Sequence, residues 1–312
     1  MDRHSRTSPS CQLAIVLLLA TFAIIDDASA QTDSSTVSPL VTAVQLEKLV
    51  GNDEVRILEV GRDAKEYTDG HIPSALFVHW IDDLSNPKSP DRFNNIDRPA
   101  MEKLLSRLGI QHDTHIVLYD ELASRLSTRM YWSLKYYGHD RVSVLDGGQY
   151  GWVHSKRKLS REKPKVKPTK YVVQKMNPKY AASAKIIMDR LGRPNLKLVD
   201  GRPPKQFTCA EPGRVFHTDK PHKRRGHIPG ASSIFWKQNF NKDGTFKSEA
   251  ELRKLYSEVH QPGATIVTYC NEGLHAAPPW FVLHELLGAK DVRVYDDSMS
   301  EWANSDRPLD EG

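Results

Sequence analysis

One cysteine follows a run of β-branched and aromatic residues, a position from which it could act chemically. Cys270 comes directly after the run 265–269 and precedes a helical pattern from about Ala277 to Leu287. Ligands bind at the carboxyl ends of parallel strands in α/β sheets. A loop with a glycine, here Gly273, can turn successive N–H groups inward, beside the positive end of the next helix. We therefore expect Cys270 to have a lowered pKa and to act as a nucleophile with its own anion site.

The backbone N–H groups of the residues after the cysteine would form this anion site. The alternative is that Cys270 is an ordinary small buried residue. An imidazole titrates near neutral pH, so the histidine of this loop could orient or protonate a leaving group, or it could simply begin the helix. The candidate cradle residues are Asn271, Glu272, Gly273, Leu274 and His275.

Two stretches of the chain carry nearly the same sequence features, which indicates an internal repeat. The first half has ILEVGRDAKEY at 57–67 and GHIPSA at 70–75. The second half has LVDGRPPKQF at 198–207 and GHIPGA at 226–231. The chain is therefore predicted to contain two copies of one unit.

Each copy has the sequence pattern of an α/β unit. Short β-branched runs, such as 116–119 and 142–145, alternate with helical patterns such as 129–137. This alternation predicts a mainly parallel sheet flanked by helices in each copy.

The two copies differ at the position of the cysteine. Asp120 stands in the first copy where Cys270 stands in the second, and Trp152 and Trp302 follow them at equal distances. The fold therefore does not require a cysteine here, which favours a reactive role for Cys270. Asp120 is interpreted as structural, bonded to the loop amides that it faces.

Residues 1–30 have the order of features that is typical of an export signal. Arg3 and Arg6 precede the apolar run 13–25, and Ala-Ser-Ala follows at 28–30. The run is shorter than the ~20 residues with which a helix spans a bilayer. We expect a cleaved signal and a periplasmic or secreted mature protein without a membrane attachment; an uncleaved anchor is the alternative.

Composition predicts a globular protein with 39% hydrophobic and 27% charged residues and a net charge of +5. The basic residues are not interleaved with aromatic ones, so binding of small anions is favoured over binding of nucleic acid. The predicted organisation is a first domain at 38–155, a basic linker at 156–178 and a second domain at 179–312.

An insertion at 209–225 distinguishes the second copy and is predicted to be a long surface loop near the site. It contains Cys209, which in an oxidising compartment could form a reversible disulfide with Cys270; an inert buried thiol is the alternative. Its candidate positive charges are Arg214, His217, Lys220, His222, Lys223, Arg224 and Arg225.

These features together resemble the tandem rhodanese family, the thiosulfate and 3-mercaptopyruvate sulfurtransferases, over nearly all of the chain after residue 30. The matching features are the two GHIP segments, LDGG before Trp152, and a cysteine that opens a six-residue loop in the second copy only. The resemblance implies two tandem rhodanese-like domains, the first non-catalytic, with Cys270 in a cleft between them. The thiolate would take sulfur from thiosulfate or 3-mercaptopyruvate and pass it, as a persulfide, to cyanide or a thiol. No metal or organic cofactor is implied, and a protein acceptor of the sulfur is a further candidate partner.

Asp200 and Arg202 match an Asp-x-Arg of this family that helps to order the site, although a turn-stabilising ion pair is an equal alternative. A second family arginine falls at Gln206 or Phe207. Glu272 would disfavour a dianionic donor, so the loop does not favour thiosulfate and the donor stays open.

Two other functions compete with this interpretation. A catalytically weak sulfur carrier or protein-binding module in the periplasm is compatible with Glu272 and with the missing arginine. A phosphatase or arsenate reductase would need C-x5-R, with an arginine that grips the oxyanion. Ala276 stands at that position, which argues against the second class.

Overall fold

The computed structural model describes residues 37–89, 94–121, 123–215 and 218–311. Within these ranges the strands form two five-stranded sheets in which every neighbouring pair is parallel. The predicted export signal lies outside the described residues. Among the described residues, no helix has both the length and the apolar character that crossing a membrane requires.

The first copy has the strand order β1-β5-β4-β2-β3. Its strands are β1 (Leu40–Val41), β2 (Val55–Gly61), β3 (Leu76–His79), β4 (His115–Tyr119) and β5 (Val142–Leu145). Its helices are α1 (Ala43–Glu47), α2 (Ala64–Asp69), α3 (Arg98–Arg107), α4 (Arg125–Tyr136) and α5 (Gly148–His154).

The second copy repeats this topology as β6-β10-β9-β7-β8, which confirms the predicted tandem α/β fold. Its strands are β6 (Ala181–Ala182), β7 (Leu196–Asp200), β8 (Ala231–Ser233), β9 (Thr265–Tyr269) and β10 (Asp291–Tyr295). Its helices are α6 (Ala184–Met188), α7 (Pro204–Phe207), α8 (Glu249–Leu255), α9 (Ala277–Phe281) and α10 (Ser298–Trp302). Short 3-10 turns lie at Pro178–Tyr180, Trp236–Asn239 and Leu274–Ala276, and a π-helical turn at Val282–Leu286 extends α9.

The repeated GHIP segments have the same structural role in both copies. The hydroxyl of Tyr119, at the end of β4, accepts the N–H of Ile72 at 3.1 Å. Tyr269, at the end of β9, accepts the N–H of Ile228 at 3.2 Å. Each segment is therefore tied to the end of its central strand, and the motif by itself marks the fold rather than the chemistry.

One hydrophobic cluster spans both copies, and each copy also has a smaller cluster of its own. Met130 and Tyr131 of α4 are buried in the same cluster as Trp280 and Phe281 of α9. The rings of Tyr131 and Phe281 meet edge to face, with centroids 4.8 Å apart. Because this apolar contact crosses between the copies, residues of the first copy are held in fixed positions beside the second.

The segment at 156–178 is extended, as a linker would be, but it is bound to the first copy instead of being solvated throughout. Ser160 exchanges backbone hydrogen bonds with His71 at 2.8 and 2.9 Å. Tyr171 and Val173 are buried, at 4% and 1% exposure. Apolar residues between the lysines explain the difference, since their burial favours a bound strap.

Candidate functional site

Strand β9 positions Cys270 at the carboxyl edge of the second sheet. All five residues of β9 are buried, and the strand lies between β7 and β10. Cys270 follows it and is only 1% exposed. The predicted nucleophile therefore lies at the expected edge, beneath the surface of the molecule.

Gly273 shapes the loop after the cysteine. Its φ of 88° lies in the left-handed region, and a Cβ at this position would come within 2.3 Å of Oδ1 and 2.7 Å of the carbonyl oxygen of Asp296. Only glycine combines this conformation with so close an approach. The turn places the N–H groups of Glu272, Gly273 and His275 where each lowers the pKa of the Cys270 thiol, so three of the five predicted residues favour its thiolate.

The expectation of a lowered pKa at Cys270 is wrong for this closed state. The pKa of the thiol is raised to about 11, mainly by burial and in part by the charge of Glu272. The three N–H donors lower the pKa, but they do not outweigh burial. While the site is closed, Cys270 is therefore a protonated thiol near neutral pH.

Ser298 organises the loop, and its role was not predicted from the sequence. Its Oγ accepts the N–H groups of Cys270 and Gly273, each at 3.1 Å, and donates to the carbonyl of Tyr295 at 2.7 Å. Its backbone has a φ of 51°, and Gly148 takes a φ of 55° at the equivalent position of the first copy. A serine in place of that glycine is the signal from which this residue could have been found.

Asp200 and Arg202 form a fully buried ion pair at the end of β7. Nε of Arg202 lies 3.0 Å from both carboxylate oxygens, and Nη2 lies 2.6 Å from Oδ2. Nη2 also donates to the carbonyl of Gly226 at 2.8 Å. Burial lowers the pKa of Arg202, but the charge and hydrogen bonds of Asp200 raise it by more. The charge of Cys270 also raises it, so the net pKa of Arg202 is raised. The pair joins β7 to the GHIP segment, near the thiol.

A second histidine lies against the loop. Nε2 of His222 is 3.2 Å from Oδ1 of Asn271, whose amide also donates to Gln206 at 3.0 Å. Burial lowers the pKa of His222 to about 4, so this histidine is neutral near pH 7. It holds the Asn271 side chain in place without adding charge to the site.

The three arginines of the insertion are engaged by groups other than those of the cysteine loop. Arg214 pairs with Asp219 at 2.7 Å. Arg224 donates to three backbone carbonyls near the carboxyl end of the chain, and Arg225 donates to the carbonyl of Cys209 at 3.3 Å. His217 lies outside the described residues. Cys209 and Cys270 are both free thiols, so the hypothetical disulfide is not formed.

In the first copy, Asp120 satisfies the amides that a ligand would otherwise bind. Its Oδ2 accepts the N–H groups of Leu126 and Ser127 at 2.7 and 3.1 Å, which confirms the structural interpretation. Burial raises the pKa of Asp120 to about 6, although these N–H groups lower it. Asp120 thereby also fixes the start of α4, where Arg125 lies.

Side chains of the first copy support the loop of the second. Arg129 of α4 is 5% exposed and pairs with Asp296, directly beside Gly273, at 2.6 Å. The N–H of Asn95 donates to the same carboxylate at 2.8 Å. Because Asp296 limits the space at Gly273, the first copy holds the cysteine loop in its shape.

His275 faces the first copy as well. Its Nε2 is 3.4 Å from Nη1 of Arg125, and its ring stacks on Trp236 with centroids 5.1 Å apart. The pKa of His275 is lowered to about 3, mainly by burial and in part by the charges of Arg125 and Lys237. His275 is therefore neutral near pH 7, which does not favour its predicted role as a proton donor.

A cavity of about 380 Å³ lies between the two copies. Cys270 is not part of its wall. His275 links the cavity with the cysteine loop, because Arg125 and Trp236 both line the cavity and both contact the ring of this histidine. Its charged and aromatic lining includes Arg62, Glu121, Arg125, Trp236, Lys237 and Lys242.

The sequence profile described as "Rhodanese-like domain" matches residues 42–155 and 183–305. The chain belongs to the rhodanese family. Among its rhodanese relatives, the thiosulfate sulfurtransferase of Corynebacterium glutamicum is 32% identical over 276 residues, covering 88% of this chain and 90% of that protein.

Two further comparisons agree with this family. Sulfur carrier protein TtuD of Thermus thermophilus is 36% identical over 276 residues, which cover 85% of this chain and 93% of the relative. The crystal structure of the 3-mercaptopyruvate sulfotransferase SseA from Escherichia coli covers 84% of this chain and 99% of its own, with a TM-score of 0.73 and 24% identity. That likeness shows the shared rhodanese fold.

Proposed function

We propose that this rhodanese is a sulfurtransferase that moves a sulfane sulfur from a small anionic donor to a thiol or cyanide acceptor through a persulfide on Cys270. The observation that carries the proposal is the position of Cys270, which directly follows the central strand of the second sheet and precedes a loop whose N–H groups favour its thiolate. Such donors stabilise a thiolate or a terminal persulfide anion. The relatives named as sulfurtransferases support the same chemistry.

The transfer has two steps. With thiosulfate, the Cys270 thiolate attacks the outer sulfur, the S–S bond breaks, and sulfite leaves with the electron pair. With 3-mercaptopyruvate, the C–S bond breaks, and the thiol proton ends on the carbon of the released pyruvate. In the second step the nucleophilic acceptor attacks the outer persulfide sulfur and regenerates the Cys270 thiolate.

The closed thiol must lose its proton before it attacks. Because burial is the largest cause of the raised pKa at Cys270, entry of donor and water would lower that pKa toward its ordinary range. The loop donors would then favour the anion. Ser298 and the Asp200–Arg202 pair act as positioning residues. Ser298 holds the cysteine loop, and Arg202 of the pair holds the GHIP segment through the carbonyl of Gly226.

A sulfur carrier is the second candidate function. Cys270 is 1% exposed, which favours a site that opens for a particular partner over one that turns over freely. The relative named sulfur carrier protein TtuD supports this alternative. A carrier would take up one sulfur per chain and release it to a protein acceptor while reacting slowly with small thiols and cyanide.

Intact mass spectrometry tests the persulfide. The native chain, Cys270→Ser and the matched control Cys209→Ser are each incubated with thiosulfate and, separately, with 3-mercaptopyruvate. We expect a gain of one sulfur atom in the native chain and in Cys209→Ser, and none in Cys270→Ser. Loading followed by steady turnover with cyanide or a small thiol would favour the enzyme, and loading without turnover would favour the carrier.

We also propose that residues 1–30 direct export and that the mature protein acts in the periplasm or outside the cell. The order of basic, apolar and small residues supports this. N-terminal sequencing of the protein from separated cell fractions tests it. A mature chain that begins at Gln31 in the exported fraction is expected, whereas an intact Met1 in the cytoplasmic fraction would contradict export.

A further inference from the structure

Two basic side chains near the cysteine loop are already engaged by other groups. Arg202 is paired with Asp200 and donates to the carbonyl of Gly226. His222 is neutral, because burial lowers its pKa to about 4. An anionic sulfur donor therefore needs positive charge beyond that of these two residues.

The cavity between the copies provides such charge beside a residue of the cysteine loop. The guanidinium of Arg125, at the start of α4, lies 5.6 Å from the centroid of the Trp236 ring. The ammonium of Lys237 lies 5.6 Å from the same ring. Trp236 stacks on His275, whose backbone N–H is one of the donors facing the Cys270 thiol. A single residue, His275, thus connects the two cations with the nucleophile.

The architecture holds these groups in place. Asp120 fixes the first turn of α4, from which Arg125 extends, by accepting the N–H groups of Leu126 and Ser127. Trp236 is 5% exposed, and its backbone N–H donates at 3.1 Å to the carbonyl of Gly201, which directly follows β7. The site is therefore built on both copies and does not depend on the insertion.

Four acidic side chains also line the cavity, those of Glu59, Glu66, Asp120 and Glu121. Burial and the charge of Arg62 lower the pKa of Arg125, while the charges of Asp120 and Glu121 raise it, and the net result is a lowered pKa. The pKa of Asp120 is raised to about 6 and that of Glu59 to about 7, with burial as the largest cause, so burial weakens the negative charge of both. Arg125 and Lys237 both lower the pKa of His275, and they therefore bring positive charge to the side of the cavity that meets the cysteine loop.

We propose that Arg125 and Lys237 bind the oxyanion group of the sulfur donor, so that the copy without the cysteine supplies a donor-binding residue. This inference rests on the proposed sulfurtransferase function. A planar guanidinium can bind a carboxylate or a sulfonate through two hydrogen bonds, and the face of Trp236 keeps water from one side of the pair. The donor's sulfur then points past His275 toward Cys270. The carboxylate of 3-mercaptopyruvate and the sulfonate end of thiosulfate share this chemistry.

The test measures how the rate of sulfur loading on Cys270 depends on donor concentration. Arg125→Gln should raise the half-saturating concentration of the donor at least tenfold, because it removes a charged two-point contact. Arg125→Lys should recover part of the loss, since a point charge remains. Lys237→Gln should have a smaller effect in the same direction. Lys242→Gln, a charge change on the same cavity wall away from Trp236, should change the value less than about twofold.

Discharge of the loaded persulfide to an uncharged thiol such as 2-mercaptoethanol serves as an internal control. In Arg125→Gln this discharge should be affected less than loading, because the thiol carries no oxyanion for Arg125 to bind. An equal loss in loading and discharge would overturn the inference, because the contact of Arg125 with His275 would then explain the effect. Loading that is weakened with both donors, or with only one, supports the inference and identifies the oxyanion that is bound. If Arg125→Gln does not fold, the exposed Lys237 decides the matter through Lys237→Gln.

Failure of the inference is distinct from failure of the proposed function. Suppose that the native chain loads sulfur and that both variants, Arg125→Gln and Lys237→Gln, load it with the same dependence on donor concentration. The donor-binding role is then overturned, while the proposed function stands. An equal loss in Lys242→Gln would also overturn it, because the general field of the cavity would then explain the effect. If the native chain takes up no sulfur from either donor, the proposed function itself fails.

Discussion

Replacing Ser298 by alanine is expected to destabilise the cysteine loop and to slow sulfur loading. The Oγ of Ser298 accepts two N–H groups, from Cys270 and Gly273, in a part of the structure where all three residues are buried. A buried N–H that loses its partner destabilises a protein by about 1–3 kcal/mol. Because water can reach part of a loosened loop, we expect a total loss of about 2–4 kcal/mol in the free energy of unfolding.

Ser298→Gly provides a matched comparison for this prediction. It removes the same Oγ but relieves the left-handed backbone at this position, where φ is 51°. Relief of that strain is worth about 1 kcal/mol. The glycine variant, which copies Gly148 of the first copy, should therefore be about 1 kcal/mol more stable than the alanine variant.

Urea denaturation of the three proteins, followed by tryptophan fluorescence and circular dichroism, measures these differences. The urea midpoints give stability differences only if the slopes of the unfolding transitions are equal and unfolding is two-state. Because a hydrophobic cluster spans both copies, two-state behaviour is verified by agreement between the two probes. Initial rates of sulfur loading by mass spectrometry give the functional effect. An alanine variant within about 0.5 kcal/mol of the native chain, with unchanged loading, would refute the role assigned to Ser298.

The remaining predictions concern the thiol, the glycine of the loop and the support from the first copy. Alkylation of Cys270 by iodoacetamide should be slow near pH 7 and rise as the pH approaches 11, since burial raises its pKa; a rate that levels off below pH 8 would contradict this. Gly273→Ala should abolish loading and lower the melting temperature, because its Cβ would meet Asp296 at 2.3 Å; native loading would exclude that constraint. Arg129→Met should destabilise the chain by about 3–5 kcal/mol in urea denaturation, because it leaves the carboxylate of Asp296 without its buried partner. Lys185→Ala breaks an exposed ion pair with Asp189 and should lower the free energy of unfolding by less than about 1 kcal/mol. Equal losses of stability in Lys185→Ala and Arg129→Met would contradict the idea that burial makes the Arg129–Asp296 pair the stronger one.

The fold was readable from the sequence because its signals are local and occur twice. The run 265–269 forms β9 as predicted, and the run 116–119 lies within β4. The helical pattern at 129–137 corresponds to α4, which begins earlier, at Arg125. Repetition of the GHIP segments at equal places in two copies indicated a duplicated parallel fold before any tertiary contact was known.

The residues that complete the site were harder to predict, for physical reasons. Arg125 and Arg129 reach the cysteine loop only through packing between the copies, which no pattern within one copy reports. Ser298 was visible in principle, as a serine aligned with Gly148. Composition alone does not show that Arg214 and Arg224 of the insertion are engaged elsewhere, because it counts charges but not the carboxylates and carbonyls that bind them.

The lowered pKa expected at Cys270 illustrates the same limit of sequence patterns. The sequence shows a glycine and a helix start, and both favour a thiolate. It does not show that Cys270 is closed to solvent at 1% exposure, and this burial outweighs the donors.

Localisation of the transferred sulfur distinguishes Cys270 from Cys209 as its carrier. The native chain is loaded with thiosulfate or 3-mercaptopyruvate, digested without reductant and mapped by mass spectrometry before and after addition of cyanide. We expect one additional sulfur atom on the peptide that contains Cys270, and its loss to cyanide as thiocyanate. A sulfur atom found only on the peptide that contains Cys209, or none on either peptide with both donors, would contradict this expectation.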